Sequence, residues 1–111
     1  MNIELIAKIC NNVTYEYCRS QCDFSEIIWD LVPDWQKETV INLVNFTLKN
    51  ERTPEEMHEY WMAQMLEGGW VYGHIKDADL KTHPCIKQYE ELQEYQRTKY
   101  KLIKAVVNSL F

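Results

Sequence analysis

A chain of 111 residues fits one domain, because chains of this size bury roughly 65 % of their unfolded surface in a single core and seldom support two. Hydrophobic content of 46 %, with 13 % aromatics, is enough for that core and too aromatic for a disordered tail. Seventeen acidic against twelve basic residues, a formal charge of -5, exclude the broad phosphate-neutralising face that polymeric nucleic acid requires.

The N-terminus carries Glu4 and one basic residue before Arg19, so it lacks the basic start and apolar centre of a signal peptide. No run of about 18 apolar residues follows. Both features predict a cytoplasmic protein without a membrane partner. Apolar spacing at Ile6, Ile9, Cys10, Val13 and Tyr17 predicts a first amphipathic helix from Ile3 to about Gln21. Segment 23–33 has weak periodicity and ends in Pro33, which reads as a packed loop with Trp29 tucked inward. A second helix is predicted with Asp34 as cap, ending near Asn50 and turning Trp35, Val40, Leu43, Val44 and Leu48 inward.

Thr53 as cap, Pro54 at the first helical position and Glu56 three residues after the cap form a capping-box signature for a third helix. Gly68 and Gly69 stop it, since glycine accepts the left-handed backbone that helix ends often need. Segment 70–84 is aromatic, holds Gly73 and Pro84, and is predicted to form at most a brief strand pair. Beyond Tyr89 a last helix is predicted to bury Tyr95, Leu102, Ile103, Val106, Val107 and Leu110. The fold class is therefore mainly α, a compact domain of about four helices with one aromatic loop. Cys10, Cys18, Cys22 and Cys85 have no C-x-x-C pairing, and a reducing compartment keeps them as thiols.

Taken in order, His58-Glu59-x-Trp61, Gly69-Trp70-x-Tyr72-Gly73, Lys76-Asp77, Lys81-x-His83-Pro84-Cys85 and Tyr89-x-x-Leu92 resemble the signature of the ryanodine receptor repeat, the RyR domain. The resemblance is tight from about Thr53 to Leu110. Less specifically, Ile6-Ala7-x-Ile9-Cys10, Tyr17-Cys18, Trp29 and Trp35-Gln36 are similar to the amino-terminal part of stand-alone RyR-domain proteins of bacteria and their phages. The whole chain, 1–111, then reads as one RyR-like domain, with 1–50 as its amino-terminal helical segment and 53–110 as its signature region. Two positions depart from the pattern: His74 stands where a proline is expected after Gly73, and Gln88 replaces an apolar or proline neighbour of Tyr89. Both bear on the loop that shapes the site. The resemblance implies a ligand-sensing module for a nucleotide-like molecule, with no cofactor. It also implies a homodimer, because the repeat occurs in pairs about an approximate two-fold axis. A phage or bacterial copy would sense or sequester a nucleotide signal by binding alone. Fold analogy does not by itself carry a function, and the alternative is an interaction module whose aromatic loop docks a protein.

Candidate ligand contacts follow from chemistry. Trp70 and Tyr72, between glycines and just after a helix stop, either offer a flat face to a nucleobase or cap the core. Lys76, Lys81 and Arg97 are cations suited to a phosphate, Arg97 through a two-pronged grip, or else solvated surface. Asp77 either accepts from a ribose hydroxyl or base edge, or caps the following turn. His83 reads as a hydrogen bonder that locks the loop and touches ligand. Trp61 falls at core spacing with Met57 and Met65. The three histidines lie on different elements without metal-ligand spacing, and the run His83-Pro84-Cys85 does not read as a nucleophilic pair, since catalytic pairs are usually distant in sequence. With three glycines and no phosphate-loop or nucleophile-elbow pattern, the expectation is a binding protein rather than an enzyme.

Overall fold

The computed structural model describes residues 2–111, which form four α-helices, a two-stranded parallel sheet and two short 3-10 turns. Helix α1 (Ile3–Ser20) opens on Asn2, whose side chain accepts from the Glu4 and Leu5 amides. Its buried face carries Ile6, Ala7, Cys10, Asn11, Thr14 and Cys18, whereas Ile9, Val13 and Tyr17 are half-buried. The face is turned from the apolar stripe because α1 packs against two neighbouring helices, not one. Small Ala7 lets them approach, and the polar groups that enter are satisfied: Asn11 donates to the Ile27 carbonyl at 3.0 Å, and Thr14 donates to the Cys10 and Asn11 carbonyls. Trp29 is buried in the first 3-10 turn (Trp29–Leu31), its backbone amide held by the Asn12 side chain at 2.9 Å.

Helix α2 (Asp34–Lys49) has Pro33 in the cap position, so Asp34 sits one residue further in than the capping role predicted for it. There its carboxylate still faces the positive end of the helix dipole. Leu43 and Val44 are buried as expected, but Trp35 is 39 % exposed. Helix α3 (Pro54–Glu67) has the reciprocal capping box: Thr53 accepts from the Glu56 amide at 3.1 Å and Glu56 accepts from the Thr53 amide at 2.9 Å. Gly69, at φ +88°, turns the chain out of the helix, and the Trp70 amide donates back to Met65.

Strands β1 (Val71–Tyr72) and β2 (Thr82–His83) pair in parallel, Val71 with Thr82 and Tyr72 with His83. Gly73 permits this approach, since a Cβ there would stand 2.6 Å from the Thr82 Cβ. After the second 3-10 turn (Tyr89–Glu91), helix α4 (Glu94–Leu110) buries Tyr100 and Val107 most deeply. Of the other residues predicted to be buried, Ile103, Val106 and Leu110 pack against the core but, like Tyr95 and Leu102, are only half-buried. One core joins Ile6, Cys10, Trp29, Val44 and Val107, and a second joins Leu43, Met57, Leu92 and Tyr100. All four cysteines are free thiols. Among the described residues no helix is long and apolar enough to cross a membrane.

Candidate functional site

The irregular segment between α1 and the Trp29 turn is fixed to the start of α4 by two side-chain links. Tyr95 donates its hydroxyl to Asp23 Oδ2 at 2.8 Å, and Lys99 Nζ lies 2.9 Å from Glu26 Oε1. Asp23 also accepts from the Ser25 amide and hydroxyl. Between this segment, residues 74–76, residues 83–85 and the first turns of α4 lies an open cavity of about 590 Å³. A narrower cavity of about 110 Å³ reaches inward among the helices, past Thr14, Leu43, Trp61, Met65 and Tyr100. Glu26, Lys76, His83, Cys85, Gln96 and Lys99 line both, and form the wall along which the two chambers adjoin.

That wall has a definite charge pattern. Lys99 holds the Glu26 carboxyl below its usual range despite burial, which acts against it. Burial also opposes the Lys99 charge, but the Glu26 carboxylate at 2.9 Å outweighs it and keeps the ammonium well above its ordinary value. Burial, and then the positive charges of Lys76 and Lys99, push His83 down to about 4. Its Nδ1 accepts from the Cys85 amide at 3.0 Å, so the neutral ring carries its proton on Nε2. Burial raises the Cys85 thiol, as it raises Cys10, to about 12. Glu26 and Lys99 neutralise each other, and Lys76 has no acidic partner within salt-bridge distance among the described residues. Asp23 lines the outer chamber too; burial acts to raise its carboxyl, but hydrogen bonds from Ser25 and Tyr95 hold it below the ordinary range. The chamber thus carries two acidic and two basic side chains, and of Glu26, Lys76 and Lys99 only Lys76 makes no salt bridge among the described residues.

Of the seven candidate contacts, Lys76 and His83 line the cavity. Trp70 is 5 % exposed; Trp35 lies over it with ring centroids 5.0 Å apart, and His83 meets it edge-on at 6.4 Å. Its ring backs the wall without lining it. Tyr72 is 47 % exposed on the outer surface, edge-on to His74. Asp77 accepts from the Asp79 and Leu80 amides and caps that turn. Lys81 donates to the Gly68 carbonyl at 2.8 Å, closing the end of α3. Arg97 donates to the Glu90 and Leu92 carbonyls and fixes the chain entering α4. Trp61 packs edge-on against His83 and also borders the inner chamber.

Sequence reasoning missed Glu26, Gln96 and Lys99. For Lys99 a signal exists: Tyr95, Lys99, Ile103 and Val107 recur every fourth residue, so the lysine interrupts the inward face of α4. Glu26 lies in irregular backbone and leaves none. The signature residue His58 is fully buried. Its Nε2 bonds the Lys87 carbonyl at 2.7 Å, which only accepts, so Nδ1 accepts from the Tyr100 hydroxyl at 2.8 Å. It ties α3 to α4 outside the cavity. No group of three or more His, Cys, Asp or Glu among the described residues is placed to hold a metal ion.

Fold and site define a small, mainly helical module whose cavity is closed on one side by an amino-terminal segment and on the other by a glycine-bounded loop. The RyR domain family model matches residues 34–110, more than half of the chain, and the protein belongs to that family. The match begins at Asp34, so Glu26 and its segment lie outside it while its partner Lys99 lies within.

Proposed function

We propose that the protein is a non-enzymatic RyR-type module that binds a small nucleotide-like anion in the cavity between segment 21–26, the aromatic loop and α4. The Lys76 ammonium, which has no carboxylate within salt-bridge distance among the described residues, and His83 on the same wall carry this reading. A cation and a neutral donor on one concave wall suit a phosphate or carboxylate, and about 590 Å³ falls within the range of small-molecule sites. Such a module would sense or sequester a bacterial or phage nucleotide signal by binding alone. The test is a thermal-shift screen of adenine and guanine mono-, di- and cyclic nucleotides on wild type and Lys76→Ala. Ligand at 100 times its dissociation constant stabilises by about 2.7 kcal/mol, a shift expected in wild type and lost in the variant. No shift across the panel refutes the reading.

A second reading rests on a different observation. Val71, Ile75 and Leu80, at 54 %, 75 % and 72 % exposure, put apolar surface on the aromatic loop beside Tyr72, as a protein-docking loop or a homodimer contact would. Light scattering tests the dimer: a mass equal to one chain excludes it.

A further inference from the structure

We infer that the outer chamber selects an anion carrying a planar ring, with the anion held inward by Lys76 and the ring clamped at the rim between Phe24 and Ile75. The inference deepens the proposed function and rests on it. Phe24 is 64 % exposed and Ile75 is 75 % exposed, and both line the outer chamber from separate segments of chain. Lys76, Lys99 and His83 line the same chamber where it adjoins the inner one. Glu26 lines it there too and pairs with Lys99, and His83 is neutral, so Lys76 is the cation there without a salt-bridge partner among the described residues. The matching ligand carries a ring for the apolar rim and negative charge for Lys76.

The backbone around Phe24 is held in place before any ligand arrives. The Arg19 guanidinium stands 5.0 Å from its ring centroid, occupying one face and leaving the other without a ring or cation partner among the described residues. The backbone on both sides is tied: Asp23 bonds Ser25 and Tyr95, and Glu26 pairs with Lys99. A backbone already tied on both sides has less freedom to lose when the ring takes up a planar group. Trp70 and Tyr72 do not line the chamber, so the stacking role that their spacing suggests passes to Phe24. At about 110 Å³ the inner chamber is smaller than usual small-molecule sites, which keeps the ring at the rim.

The experiment is calorimetric titration of the four nucleoside monophosphates and of ribose 5-phosphate, which carries the anion without the ring, into wild type, Phe24→Ala, Phe24→Trp and Lys76→Ala. Thermal melts confirm that each variant is folded. Expected is tighter binding of at least one monophosphate than of ribose 5-phosphate in wild type. Phe24→Ala should weaken that monophosphate about tenfold, the scale of one base–aromatic contact, and leave ribose 5-phosphate unchanged, while Phe24→Trp restores it and Lys76→Ala weakens both. If Phe24→Ala binds every monophosphate as wild type does while Lys76→Ala weakens them, the clamp is refuted and the anion site stands. If wild type binds neither these probes nor the di- and cyclic nucleotides of the wider screen, the proposed function falls and the clamp with it; if it binds only the latter, the clamp is refuted and the anion site stands.

Discussion

Replacing Lys99 with methionine keeps most of the side-chain volume and removes the charge that faces Glu26 at 2.9 Å. Removing one partner of a fully buried pair costs about 3–5 kcal/mol, because the other charge is stranded. The two side chains here remain 20 % and 22 % exposed, and solvent screening lowers the expected loss to about 2–3 kcal/mol. The assay is urea unfolding followed by tryptophan fluorescence. The pH dependence supplies a sign test. In wild type the Glu26 pKa lies below its ordinary 4.5, so its contribution is present above that value and is lost as pH falls through the lowered pKa. Without Lys99, burial dominates and raises the carboxyl, so protonation relieves the variant. The stability gap between variant and wild type should narrow from about pH 7 to about pH 5. The double variant Lys99→Met/Glu26→Gln should return to within about 1 kcal/mol of wild type. Wild-type stability in Lys99→Met, or single losses that simply add in the double variant, would refute the argument.

Two further outcomes follow from the same wall. The His83 imidazole takes up its proton near 6.5 in the unfolded chain and at about 4 in the folded one, so its contribution is complete above 6.5 and is lost as pH falls between those values. The loss amounts to about 3 kcal/mol, and His58, also shifted down by burial, adds in the same direction; denaturant unfolding at a series of pH values that gave flat stability across this window would contradict it. Trp70→Ala should cost about 3–5 kcal/mol as a buried deletion, whereas Tyr72→Ala on the outer surface should stay within about 0.5 kcal/mol. Equal melting-temperature losses for the two would overturn the placement of Trp70 behind the wall.

Much of the fold's punctuation is local and legible in the sequence alone, although the cap of α2 falls on Pro33 and not on Asp34. The Thr53 and Glu56 capping box needs only residues three apart, and the stop at Gly68 and Gly69 needs only backbone freedom. The helical periods placed Leu43, Val44 and Val107 in the core, and the aromatic, glycine-bounded loop announced a short strand pair. The RyR signature marked the domain, although His58, its most buried member, serves packing. What only the tertiary structure decided is which side chains share the cavity. Trp70 is locally a ring beside a helix stop; α2 lays Trp35 over it and takes it out of the site. Lys81 and Arg97 carry the right chemistry for a phosphate and Asp77 for a sugar hydroxyl, yet each side chain is directed to nearby backbone groups and none lines the cavity. Glu26 and Lys99 lie far apart in the chain, and only the packing of α1 against α4 brings them to 2.9 Å. Capping and periodicity act over a helical turn and can be read from spacing, whereas the burial and electrostatics of a cavity depend on groups that meet only after the helices pack.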